Sequence, residues 1–157
     1  MIRQQVGDVL EINFENRWYY VVILTKIVMF GGNIVFAYHN DGKKMTFEQL
    51  NKMREGFNIC TDLIGMKRKG LVTRIGKIKD VDGLFISKYA KHTLEHRKGV
   101  KATRWSISDI HDYRHRIAVV SVLPDIYRNA MDIGTFGFGS VADKILERYT
   151  PDQNEHI

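Results

Sequence analysis

The stretch VGDVLEINFENRWYYVVILTKIVMFGGNIVFAY, residues 6–38, decides the fold. Val6-Gly7-Asp8 is turn-like. Beyond it Leu10, Ile12 and Phe14 alternate with Val9, Glu11 and Asn13, the period-two pattern of a half-buried strand. Glu15-Asn16-Arg17 reverses the chain into a second strand, from Trp18 to about Phe30. Gly31-Gly32-Asn33 reverses it again into Ile34–Tyr38, because Gly-Gly and Gly-Asn steps supply the positive φ that short hairpins need. Three such strands in succession make a β-meander. Within Trp18-Tyr19-Tyr20, alternation sends Trp18 and Tyr20 to one face and Tyr19 to the other. Core packing explains these rings, and an exposed one is a candidate interface anchor.

The chain after the meander is less regular. Asn40-Asp41-Gly42-Lys43 is a turn, and Thr46 with Gln49 forms a capping box for a helix from Phe47 to Arg54, stopped by Gly56. Strands are expected over 57–64 and 71–78. Leu84–His96 reads as either strand or helix, with Tyr89-Ala90-Lys91 to His96 favouring a helical turn. Arg116–Leu123 is apolar and β-branched, a buried strand by pattern. Ser140 is placed to cap a last helix carrying Val141, Ile145, Leu146 and Tyr149. The expectation is a single α+β domain over 1–150: a bent antiparallel sheet begun by the meander, two or three packed helices, then a polar tail, 151–157.

At 157 residues the chain can bury roughly 70% of the surface its unfolded form exposes. No apolar run follows Met1-Ile2-Arg3, so a secretory signal is not expected. The longest apolar run, Trp18–Leu24, falls far short of the ~20 residues that span a bilayer. No membrane association is expected, and the expected compartment is the cytoplasm, since the only cysteine, Cys60, excludes an internal disulfide. Cys60 reads as a small core residue and not a nucleophile.

Charge is the second informative feature. Twelve basic residues against three acidic ones fall between Lys67 and Arg104, a segmental excess of +9 that leaves −3 for the rest of a chain of net charge +6. Such a segment attracts polyanions or an acidic protein face, although lysines also simply keep a surface solvated. Lys67-Arg68-Lys69, between Gly65 and Gly70, reads as a basic hairpin loop.

His92 and His96, like His111 and His115, stand four apart, which on a helix puts two imidazoles on one face. Such pairs suit a zinc site or acid–base cleavage of RNA. Thr93 stands where a zinc-protease helix carries glutamate, and Ser108–Tyr113 is as much loop as helix, so surface or hydrogen-bonded histidines are the plainer reading. Gly134–Ser140 opens a helix but lacks the preceding strand and following lysine of a phosphate loop, so Phe136 and Phe138 are expected in the core. No cofactor and no metal is expected.

Gly7-Asp8, the alternating strand and the aromatic-rich second strand together resemble the immunity protein 26 family. The segment Lys69-Gly70-Leu71-Val72-Thr73-Arg74-Ile75-Gly76-Lys77 resembles the hydrophobic–Ile-Gly segment of that family, with Leu71 where tryptophan is usual. The resemblance covers about the first eighty residues. It implies a cytoplasmic antidote of polymorphic or contact-dependent inhibition systems, a non-enzymatic protein that binds a cognate toxin domain, such as a nuclease, and blocks its active surface. The expected toxin contacts are Lys67, Arg68, Lys69, Arg74, Lys77, Lys79, Arg97 and Lys98. Weak non-specific nucleic-acid binding accompanies that charge. The alternative reading is a nucleic-acid-binding or RNA-cleaving protein that uses His92, His96, His111 or His115.

Overall fold

The computed structural model describes residues 4–25 and 32–157. In chain order the strands are β1 (Asp8–Phe14), β2 (Arg17–Ile23), β3 (Asn33–Tyr38), β4 (Gly56–Thr61) and β5 (Val72–Lys77). They are followed by β6 (Tyr89–His92), β7 (Trp105–Asp109), β8 (Asp112–Val120) and β9 (Met131–Asp132). The helices are α1 (Phe47–Lys52), α2 (Ile64–Arg68), α3 (Asp125–Arg128) and α4 (Phe138–Leu146), with 3₁₀ turns at Asp82–Leu84 and Pro151–Gln153. The fold is α+β, with an antiparallel sheet built from the meander β1-β2-β3 and several short helices, as the sequence pattern predicts. The chain divides into two compact units: Met1–Phe85 with Gly134–Tyr149, and Ile86–Ile133 with Thr150–Ile157.

The first unit holds a five-stranded antiparallel sheet in the order β4-β3-β2-β1-β5. Glu15 and Asn16 turn the β1–β2 hairpin with left-handed φ of 51° and 63°, which matches the twist of the strands they join. The second strand ends at Ile23, short of the expected continuation, with Leu24 and Thr25 beyond it; the remainder, 26–30, and Gly31 of the next turn lie outside the described residues.

Strands β1–β4 are buried on both faces over most of their length, so β1 is not the half-buried strand its alternation suggests. On one face Leu10, Ile12, Tyr19, Val21, Val35 and Phe57 pack under Phe138, Val141 and Ile145 of α4 and Met66 of α2. The opposite face carries Val9, Glu11, Tyr20, Val22, Phe36 and Asn58, which are also buried. The Tyr20 hydroxyl donates to Glu11 Oε2 (2.9 Å) and accepts from the Met45 amide (2.7 Å), and Asn58 Nδ2 donates to the Leu84 carbonyl (2.8 Å). The residues before α1 and the 82–84 turn therefore lie against this second face. Two-sided burial explains the unbroken apolar runs Tyr19–Leu24 and Ile34–Ala37.

Two glycines of the resemblance have strict steric reasons. Gly7 has φ +91° and a Cβ there would stand 2.3 Å from the Ile78 carbonyl oxygen. At Gly76 a Cβ would stand 2.2 Å from the Phe47 ring, so the Ile-Gly step lets α1 lie on β5. Helix α1 has the predicted Thr46–Gln49 capping box. Helix α4 starts earlier than expected: Gly137 is its N-cap and Ser140 lies inside it, because Phe138 is buried edge-on against Phe14 and Tyr19 and joins the helical face.

The second unit holds a four-stranded sheet in the order β8-β7-β6-β9, with β6 and β9 parallel. The segment from Tyr89 to His92, for which the sequence favours a helical turn, is strand β6, and Ser108–Tyr113 is the β7–β8 hairpin. β8 is an exposed edge strand and not the buried strand that Arg116–Leu123 suggests; Ile117 and Val119 are each 42% exposed. The core is small: Trp105, Ile107 and Leu123, flanked by Tyr89, Tyr127 and Ile157.

Beside this core Lys91 is buried with 1% exposure. Its ammonium donates to the carbonyls of Arg128 (2.9 Å), Ala130 (2.7 Å) and Pro151 (2.8 Å), and lies 3.2 Å from Asp132 Oδ1. Three donors meet three acceptors, which is what permits a lysine here at all. Residues 155–157 fasten the β6–β7 connection: the Ala102 amide donates to the His156 carbonyl (2.8 Å), Gly99 to Glu155 Oε2 (2.9 Å), and Lys101 Nζ to the Ile157 carbonyl.

Candidate functional site

Helix α2 is short and held from below by Leu63 and Met66, both in the core. Asp62 Oδ1 accepts from the Ile64 amide (2.9 Å) at its start, and Gly70, with φ +71°, ends it. Lys67 and Arg68 therefore form the last helical turn and Lys69 its C-cap, rather than a hairpin loop. The reason is local: Leu63 and Met66 are spaced to bury one face of a helical turn, and the cations occupy the other. Cations at a helix C-terminus also face the negative end of its dipole.

β5 is the terminal strand of its sheet, with Arg74 and Lys77 exposed. Arg74 Nη1 lies 3.7 Å from Oδ1 of Asp8, a carboxylate with only 1% exposure. The other oxygen of Asp8 accepts from the Gln5 amide (2.9 Å). Burial lowers the pKa of Lys67, and the charge of Asp8 pulls it back up. Arg74 thus faces a buried anion, and Lys67 lies within its field. Lys77 Nζ donates to Gln5 Oε1 (2.8 Å). Arg68, Lys69 and Lys79 are exposed and, among the described residues, carry no ion pair or hydrogen bond through their side chains. Of the six expected contacts on this unit, these three are the ones open to a partner.

Arg97 and Lys98 belong to the second unit, in the β6–β7 connection. Arg97 is engaged by Glu95 through Nε (2.9 Å) and Nη2 (2.8 Å), and this fork holds the Glu95 carboxyl down at about 2. The predicted set of eight therefore resolves into six residues on the first unit and two on the second.

The histidine pairs do not sit on helices. His92 ends β6, His96 is in the following connection, His111 is in the β7–β8 turn and His115 is on β8. Four extended residues span about 13 Å, against about 6 Å on a helix, so the helical premise of stacked imidazoles is lost. Among the described residues no group of three or more His, Cys, Asp or Glu is placed to hold a metal ion. His39 is the buried histidine, with Nε2 hydrogen-bonded to the Tyr149 carbonyl at 2.8 Å. Cys60 is buried on β4, and burial pushes its thiol pKa up, away from a reactive thiolate. Tyr19 and Tyr20 are buried, while Trp18 is half-buried with Lys44 Nζ 4.6 Å from its ring centroid.

Sequence reasoning did not single out Asp8 as a buried anion, although Gly7-Asp8 marked the position. Nothing in the sequence pattern marks Lys91, which reads as one more surface cation. Among the described residues no helix is long and apolar enough to cross a membrane. No family model, curated protein or solved structure matches this chain.

Proposed function

We propose that this chain is an immunity protein that binds a cognate bacterial toxin domain, of nuclease type, in the cytoplasm and covers its active surface. The observation that carries this reading is the terminal strand β5 flanked by exposed cations, Arg68 and Lys69 before it and Lys79 after it. An edge strand offers main-chain hydrogen bonds to a partner, and neighbouring cations select an acidic one and speed its approach. The resemblance in Gly7-Asp8 and Ile75-Gly76 points to the same class, and both glycines are sterically required in this fold.

Co-expression with the toxin domain encoded by the neighbouring gene tests the reading. Growth should be restored and a one-to-one complex should purify with a nanomolar or tighter constant, about −12 kcal/mol. Arg68→Glu, Lys69→Glu and Lys79→Glu together should slow association about tenfold and flatten its salt dependence. Lys67 and Arg74 are left intact in that variant because Arg74 faces the buried Asp8 and Lys67 lies in its field. Failure to rescue growth would refute the proposal, and an unchanged association rate would move the interface elsewhere.

A further inference from the structure

The second unit contains a cleft of about 450 Å³ in which two arginines, a histidine and three hydroxyl side chains stand among predominantly apolar surface. The sheet register shows how it is built. His92 pairs with Ser106, and Ser106 with Val119, so these three form one row across β6, β7 and β8. Arg116 pairs with Ser108 in the next row on that side, past an irregularity in the pairing. Residues of intervening parity, Ile107 and Ala118, serve the core on the opposite face. The β6–β7 connection supplies the remaining wall through Thr93, Leu94, Glu95, Thr103 and Arg104.

The two arginines of the lining have no internal acceptor to consume them. Arg104 and Arg116 make no ion pair among the described residues. The carboxylate of Glu95, the only acidic lining residue, is occupied by Arg97. The Thr93 hydroxyl oxygen accepts from the Glu95 amide (3.1 Å), which leaves its hydrogen to donate. Two guanidiniums, three hydroxyls and an imidazole exceed what the two oxygens of a carboxylate can accept. They suit the three terminal oxygens of a phosphate monoester. Leu94, at 79% exposure, and Val119 add an apolar portion to the same wall. The volume fits a small organic ligand. The wall is also pre-organised, since residues 155–157 fasten the connection at Gly99, Lys101 and Ala102.

We propose that this cleft binds a free phosphomonoester with a small apolar body, its phosphate held by Arg104 and Arg116 and its body against Leu94 and Val119. This site is independent of the cationic edge of the first unit, and its test reads neither growth rescue nor toxin binding.

Titration of the full chain with phenyl phosphate, inorganic phosphate and benzoate, followed by amide chemical shifts, tests it. Phenyl phosphate should saturate in the millimolar range or tighter, with shifts centred on Thr93, Thr103, Ser106 and Val119. Inorganic phosphate should bind about fivefold more weakly for want of the apolar contact, and benzoate about tenfold more weakly for want of the third oxygen. Arg104→Gln and Arg116→Gln should each weaken phenyl phosphate about tenfold, while Arg114→Gln, on the same strand outside the cleft, should not. If either variant fails to fold, the ligand series on the unaltered chain still decides. Absence of saturable shifts, shifts centred elsewhere, unchanged binding by a folded Arg104→Gln or Arg116→Gln, or benzoate binding as tightly as phenyl phosphate would overturn the assignment. Tighter binding by a 5′-phosphorylated tetranucleotide than by phenyl phosphate would overturn the choice of a free small molecule.

Discussion

Tyr38 closes β3 with its hydroxyl buried and, among the described residues, without a hydrogen-bond partner. Burial raises its pKa to about 12, and burial together with Glu11 raises that of Tyr20 to about 12. An unfolded tyrosine ionises near pH 10, so between about pH 10 and 12 the folded state holds more protons than the unfolded one. Stability therefore falls as pH rises through that window, by about 2–3 kcal/mol for each tyrosine. Tyr38→Phe should remove one share of this alkaline loss. At neutral pH the variant should be as stable as the parent or up to about 1 kcal/mol more stable, because an unsatisfied buried hydroxyl is removed. Urea unfolding of both proteins at pH 7 and pH 11 checks this, and a loss of more than about 1 kcal/mol at pH 7 would mean that the hydroxyl has a partner.

At the scale of elements, β6 depends on one side chain that its pattern disguises. Lys91 holds α3, β9 and the 151–153 turn through three carbonyls and Asp132, and substitution by methionine would leave those carbonyls buried and unpaired. Lys91→Met should destabilise the second unit by about 2–4 kcal/mol. Native-state hydrogen exchange should then quicken in β6, β7 and β9 while β1–β4 remain protected. Equal loss in both sheets would show that the two units unfold together. The same lysine explains what the sequence conceals. The meander and the α1 capping box were legible because their signals are local: alternation, turn residues with positive φ, and a four-residue cap. β6 is four residues long and has a charged residue in its interior, so no alternation survives. β8 carries an apolar run that periodicity assigns to a core, yet its side chains are exposed along an edge. Arg104 and Arg116 meet in one cleft only through the register of the second sheet, and no sequence spacing announces that.

Across the whole molecule, a net charge of +6 with a +9 segment between residues 67 and 104 leads us to expect weak contact with nucleic acid at low salt. Several of those charges are already committed: Arg74 to Asp8, Lys91 to its cage, Arg97 to Glu95. The other nine stand five on the first unit and four on the second, and micromolar RNA binding should fade by about 150 mM salt, with RNA intact with or without zinc. Fluorescence anisotropy across a salt series checks the first outcome and gel analysis the second. RNA cleavage lost in His92→Ala or His111→Ala would favour the nucleic-acid reading instead. The division of the chain has a further consequence for how the protein is made. The first unit is completed by Gly134–Tyr149 and the second by Thr150–Ile157, so each early segment is closed by a late one. On the ribosome, residues 4–85 can pair their strands but wait for α4 to cover the apolar face of the sheet. The Lys91 cage stays open until Pro151 emerges. Neither unit can therefore be expressed as a continuous fragment, and a nascent chain stalled before Gly134 would carry two unfinished cores at once.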